Sequence, residues 1–179
     1  ERKSVIEAAW NWINMTIPVI SSTFASFSRM CKNLGAETLG HLFIDEAGQA
    51  LPQAAVGAIY RSRHVMAVGD PLQIPPVLTL DSNTLYMLSR HFKVTEKYLS
   101  ASASVQTLTD AASQYGFYRK EDRSEDSWVG IPLWVHRRCR YPMFTISNVI
   151  SYEKLMVQGV ESYGKTGWFD VGGTADNKY

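Results

Sequence analysis

Two short apolar runs, each stopped abruptly by an acidic residue, constrain the fold of this chain more than any other feature. Leu42-Phe43-Ile44 runs into Asp45-Glu46, and Val65-Met66-Ala67-Val68 runs into Gly69-Asp70. Apolar runs of this length, bounded by polar residues, read as buried strands of a parallel sheet. Between them Leu51 to Ser62 reads as a helix. Pro52 is acceptable in its first turn, and Ala54, Ala55, Ala58 and Ile59 are placed to pack on the sheet. The expected fold is therefore α/β with a mostly parallel, doubly wound sheet. In such sheets ligands bind outside the carboxyl ends of the strands, where Asp45 and Glu46 emerge.

Adjacent carboxylates at a strand end suit a metal–nucleotide site. One holds Mg²⁺, often through water, and the other activates the attacking water. A plain strand end with a solvated acidic pair fits the same residues. The exit of the second run adds weight to the first reading. Gly69 permits a tight turn, Pro71, Pro75 and Pro76 stiffen the loop, and Gln73 offers both a donor and an acceptor beside the first strand's end. Together, Asp45-Glu46-Ala47-Gly48-Gln49-Ala50 and Gly69-Asp70-Pro71-Leu72-Gln73-Ile74-Pro75-Pro76-Val77 resemble the Walker B motif and motif III of superfamily 1 helicases. The likeness is to the branch that contains the nonsense-mediated-decay RNA helicase and its bacterial relatives. It implies a RecA-like P-loop NTPase fold, ATP and Mg²⁺ as cofactors, and single-stranded DNA or RNA as partner. On these positions Asp45 would hold Mg²⁺, Glu46 would orient and deprotonate water, and Gln73 would sense the γ-phosphate. Gly69 and Asp70 would support the loop.

Composition leaves this open. The chain has 179 residues, 45% hydrophobic and 20% charged, which is material for a globular core. A net charge of +1 neither demands nor excludes nucleic acid. Cys31 and Cys139 are too few and too far apart for a disulfide framework or a zinc site, and read as reduced thiols. No apolar stretch approaches the roughly eighteen residues of a membrane span, and Glu1-Arg2-Lys3 leads no signal-like region. A cytoplasmic protein without a membrane partner is expected.

Along the chain, Ser4 and Glu7 suggest a capping box for a helix with Val5, Ala9, Trp12 and Ile13 on one face. Val19 to Phe24 reads as a strand with a hydroxyl-rich exit. Phe24, Phe27, Cys31 and Leu34 mark a helix that ends at Gly35. In the helicases that exit resembles the motif holding single-stranded nucleic acid. The likeness falls on Thr23, with Ser22 and Ser26 beside it; local capping is the alternative role for these hydroxyls. Leu78 to Phe92 reads as a helix with Met87 as core filler, and Val94 to Leu99 as a strand. Ser104 to Leu108 faintly resembles a later helicase motif, without assignable roles.

Tyr118 to Ser127 is dense in charge and poor in apolar residues, so it reads as a surface loop or linker. Val129 to Val135 then alternates like a strand. His136-Arg137-Arg138-Cys139-Arg140-Tyr141-Pro142, followed by a helix-like Met143 to Ile150 and Tyr152-Glu153-Lys154-Leu155, resembles helicase motif IV. The resemblance places the γ-phosphate contact on Arg138, whose planar guanidinium suits it. At Arg137 the relatives often carry a Tyr that stacks on adenine, and an Arg can stack there too. His136 reads as a structural polar residue, Trp168 to Val171 as a strand, and the tail from Gly172 as frayed. On this likeness residues 1–117 are the later part of a first RecA-like ATPase domain, 118–128 a charged linker, and 129–179 the start of a second. No G-x-x-x-x-G-K-[ST] loop precedes the carboxylates; the one match to that pattern, Gly159 to Thr166, comes after them. The chain is therefore expected to be an excised piece of a helicase, inactive alone, whose N- and C-terminal parts are its natural partners. Two other readings stay open: a non-catalytic nucleic-acid-binding or scaffold module of RecA-like fold, and another P-loop ATPase associated with a nuclease.

Overall fold

The chain alternates helices and short strands. In order they are α1 (Arg2–Thr16), α2 (Phe24–Met30), β1 (Leu39–Ile44), α3 (Pro52–Tyr60), β2 (Ser62–Ala67), α4 (Ser82–Phe92), α5 (Val105–Ala112), β3 (Phe117–Arg119), β4 (Ser127–Val129), β5 (Val135–His136), α6 (Met143–Ser151) and β6 (Val157–Gln158). The computed structural model describes residues 2–70, 72–78, 80–95, 98, 103–119, 127–161, 163–167, 169 and 172. Among these the fold is mixed α/β. β1 pairs with β2 and β5 with β6 in parallel, β3 pairs with β4 antiparallel, and no barrel closes. The chain divides into two compact units, Glu1–Ile131 and Pro132–Tyr179. No helix among the described residues is long and apolar enough to cross a membrane.

The core of the first unit follows from strand alternation. With Leu42 opposite Val65 and Ile44 opposite Ala67, these four side chains share one face. Ile44, Ala47, Ala55 and Val105 form a buried cluster, against which Phe24, Leu42, Ala50, Ile59, Val65 and Ala67 pack. On α3 the small Ala55 and Ala58 are buried, which lets the helix lie close, while Ala54 faces solvent. Arg61 ties the end of α3 to that of α2: its Nη1 donates to the Gly57 carbonyl (2.7 Å) and its Nε to the Cys31 carbonyl (3.0 Å). Ser104 to Leu108, which had no role from sequence, opens α5 and closes this core. Val105 is fully buried and its N–H donates to the Ala50 carbonyl at 2.8 Å. Ser104 and Thr107 form the capping box that starts the helix.

Several expectations are corrected here. Phe43 and Met66, on the other face of the β1–β2 pair, are 69% and 57% exposed. The pair is thus buried on one face, because α3 and α5 pack on the same side. Among the described residues the parallel sheet is a pair, not a wide doubly wound sheet. Val19 to Phe24 is no strand: Val19 to Thr23 is irregular, without a ladder partner, and Phe24 already begins α2. α2 ends at Met30, well short of Gly35, and the left-handed residue after it is Glu37. α1 starts at Arg2, so Ser4 lies inside it, and Val5, Trp12 and Ile13 are exposed. Met87 is 63% exposed and fills no core. The helix expected from Leu78 begins at Ser82, where Asp81 caps it by accepting from the Thr84 N–H (3.0 Å) and hydroxyl (2.7 Å). Val94, Thr95 and Tyr98 are not in a strand, and the other three residues of the segment to Leu99 lie outside the described residues.

The charged stretch also differs. Tyr118 and Arg119 pair with Trp128 and Ser127, and the Tyr118 and Trp128 rings meet edge-on at 5.0 Å. Cross-strand aromatic pairing makes the ends of that stretch ladder; its centre, 120–126, lies outside the described residues. Of the strand expected from Val129 to Val135, only the ends are paired, in β4 and β5. The segment Trp168 to Val171 lies outside the described residues except Phe169, which is in no strand.

Asp110 on α5 joins that helix to the end of β4. It is buried, and its Oδ1 accepts from Gln106 Nε2 (3.0 Å) and the Gly130 N–H (3.2 Å). Burial raises its pKa above the ordinary 3.8, against the lowering effect of those two hydrogen bonds. An acid with a pKa raised on folding stabilises the folded chain while protonated. That contribution is whole below 3.8 and is lost as pH rises through the raised value. Asp110→Asn keeps the acceptor without the charge and sets an amide donor near Gln106 Oε1, a buried oxygen without a partner. The variant should melt roughly 2 °C above the parent at neutral pH, with the gap closing below about pH 4. A pH-independent gap in thermal melts would contradict this.

Candidate functional site

Because β1 and β2 are parallel and in register to their last residues, both acidic exits leave from one edge. The ladder runs on past the strands. The Val68 N–H donates to the Ile44 carbonyl (2.8 Å), and the Ala47 N–H donates to the Val68 carbonyl (3.0 Å). Gly69 then lies against the turn that follows the carboxylates. A Cβ there would stand 2.5 Å from the Gly48 nitrogen and 2.8 Å from the Ala47 nitrogen, both backbone atoms. No described glycine has a positive φ. Gly69 therefore serves a close backbone approach, not the conformational freedom expected from sequence.

The carboxylates are exposed and locally braced. Asp45 Oδ1 accepts from the Glu46 N–H at 3.0 Å. Glu46 is left-handed (φ 52°, ψ 38°), and its Oε2 accepts from Gln49 Nε2 at 3.1 Å. Glu37, Lys93, Glu153 and Lys154 are also left-handed, so this conformation is a turn device of the fold and no mark of a site by itself. Among the described residues Asp45 Oδ2 and Glu46 Oε1 make no protein hydrogen bond. Exposed hard oxygens of this kind suit Mg²⁺, which keeps much of its water. Gln49 escaped the sequence reading. Its signal was the spacing: in the 3₁₀ turn Ala47–Gln49, side chains three apart eclipse, which sets an amide over Glu46.

Asp70 organises the second exit. Its Oδ1 accepts from the Leu72 N–H (3.0 Å) and its Oδ2 from Gln73 Nε2 (2.9 Å), while its carbonyl accepts from the Gln73 N–H (3.3 Å). This is an Asx-type turn, and the buried Pro76 anchors the loop beyond it. The first unit thus gathers Asp45, Glu46, Gly69 and Asp70 on one edge, with Gln73 attached through Asp70. Thr23 lies at the start of α2. Its hydroxyl accepts from the Ser26 N–H (3.3 Å) and donates to the Ser26 hydroxyl (3.2 Å), and the Ser22 hydroxyl donates to the Thr23 carbonyl (3.0 Å). These hydroxyls form a helix cap.

In the second unit β5, α6 and β6 form a small parallel crossover, and Arg137 and Arg138 follow β5 with exposed side chains. His136 shapes their turn. Its Nε2 accepts from the Cys139 N–H (2.9 Å) and its carbonyl from the Gly159 N–H (2.8 Å). Asn148 holds α6 to the start of β6, donating to the Met156 carbonyl (2.9 Å) and accepting from the Met156 N–H (3.0 Å).

The contact at Gly69 makes a sharp prediction. Gly69→Ala forces backbone apart and should lose about 1–3 kcal/mol, the usual range for overpacking. Gly40→Ala, on β1 with nothing within 4 Å of the added carbon, should stay within about 0.5 kcal/mol of the parent. Urea unfolding of the two variants checks this, and equal midpoints would contradict it. Comparison with protein-family models, with curated proteins and with solved structures returned no match for the chain.

Proposed function

We propose that these residues belong to the hydrolytic half of an ATP-dependent superfamily 1 helicase or translocase of RecA-like P-loop fold, which couples ATP hydrolysis to movement on single-stranded DNA or RNA. The observation that carries the reading is the acidic edge: two strand exits, Asp45-Glu46 and Gly69-Asp70, joined backbone to backbone at the carboxyl end of a parallel pair. Asp45 is the Mg²⁺ ligand, chiefly through water. Mg²⁺, when bound, neutralises charge developing on the phosphates. Glu46 orients and deprotonates the attacking water, with Gln49 holding its other oxygen. Gln73, held by Asp70, reports the γ-phosphate. Arg138 supplies positive charge to the transferring phosphoryl group, and Arg137 stacks on the base. Thr23, with Ser22 and Ser26, meets the nucleic acid.

Gly159 to Thr166 spells G-x-x-x-x-G-K-[ST], but Gly164 to Gly167 is irregular and opens no helix, so it lacks the strand–loop–helix form of a phosphate-binding loop. The reading therefore concerns a polypeptide that joins these residues to one. A second reading, a non-catalytic module of the same fold, is favoured by the bracing of the carboxylates, since Asp45 and Glu46 each serve a local hydrogen bond. Mutagenesis separates the two. In such a polypeptide Glu46→Gln should nearly abolish ATP hydrolysis while sparing ATP and nucleic-acid binding. Arg138→Ala should slow turnover roughly 10³-fold or more, as for arginine fingers. The 179 residues alone should not hydrolyse ATP with or without single-stranded DNA or RNA. Hydrolysis indifferent to Glu46→Gln, or nucleic-acid-stimulated turnover by the 179 residues alone, would contradict the proposal.

A further inference from the structure

On the face of the β1–β2 pair opposite the core, His41 stands directly across from His64. Their ring centroids are 5.0 Å apart and their planes differ by 26°. Both residues are exposed, and among the described residues neither imidazole makes a protein hydrogen bond. The chain's other histidines are engaged elsewhere: His91 meets Phe92 edge-on, and His136 accepts from the Cys139 N–H. We propose that His41 and His64 form a two-imidazole site for a borderline divalent transition-metal ion, of which zinc is the type. The site is separate from the acidic edge and different in chemistry.

Neutral imidazole favours zinc, copper and nickel over magnesium or calcium. Ring nitrogens bind zinc at about 2.0–2.1 Å, so two on one tetrahedral ion lie roughly 3.4 Å apart. Rings facing at 5.0 Å reach that separation by tilting toward a shared ion. The strands need not move, because register already sets the two backbones side by side. That preorganisation is the source of affinity, since the second imidazole binds as an intramolecular ligand. Among the described residues no group of three or more His, Cys, Asp or Glu gathers, so water completes the coordination sphere. Phe43, stacked on His41 at 6.4 Å, limits the rotation of that ring.

Calorimetric titration of the 179-residue chain with Zn²⁺ should show one ion bound more tightly than any held by the acidic edge. His41→Ala and His64→Ala should each weaken it roughly 10²-fold, as loss of one of two linked ligands does. His91→Ala should leave it unchanged. Should a variant fail to fold, Cu²⁺ added in small amounts to the unmutated chain gives an independent readout, because it should broaden the NMR ring signals of His41 and His64 first. Absence of Zn²⁺ binding, binding unaffected by both substitutions, or broadening led by His91 or His136 would overturn the proposal.

Discussion

Gly69 packs its backbone against Ala47 and Gly48 with no room for a β-carbon, and the Ala47 N–H bonds the Val68 carbonyl beside it. That contact makes one site out of two loops. Without it, Asp45-Glu46 and Asp70–Gln73 would be separate turns at the ends of separate strands. With it, the position of Glu46 is set by the second strand as well as the first. The same turn carries Ala47 into the buried cluster with Ile44, Ala55 and Val105, so the acidic edge stands directly on the core. Positioning a carboxylate on ordered backbone of this kind is what phosphoryl-transfer chemistry asks of a protein, since it works through placement and charge more than covalent steps.

The hydrogen bonds around the edge divide into bracing and presentation. Asp45 Oδ1 and Glu46 Oε2 are engaged within their own turn. Asp70 uses both carboxylate oxygens to hold the Leu72–Gln73 segment. Asp70 is thus a loop-former, whereas Asp45 and Glu46 each keep an oxygen toward solvent. The second unit shows the same logic with different chemistry. His136 and Asn148 are polar groups that build turns, and the His136 turn presents the Arg137 and Arg138 side chains to solvent.

Local signals in the sequence are legible where the structure depends on local pattern. The runs ending at Ile44 and Val68, the helix between them with its small residues, and the acidic exits all follow from periodicity and breakers. Readings failed where a partner distant in sequence decides. Val19 to Phe24 has strand composition, yet a strand needs a ladder, and none pairs with it. Phe43 and Met66 looked buried because a parallel strand is ordinarily covered on both faces, but α3 and α5 chose the same side. Val105 carries the core although its neighbours Ser104, Gln106 and Thr107 are polar. Gly69 stands out in the sequence but the reason for it does not, because close approach to another loop leaves no local trace.

On the proposed function, both strand exits face one hydrated divalent ion. Mn²⁺, standing in for Mg²⁺, tests this in the 179-residue chain without requiring a nucleotide, because paramagnetic broadening detects weak and brief occupancy. Added in small amounts, it should broaden the backbone amide signals of Glu46 to Gly48 and of Gly69, Asp70, Leu72 and Gln73 together, and Asp45→Asn should remove both effects. Broadening confined to one loop, or unchanged in Asp45→Asn, would contradict a single site built from the two strand ends.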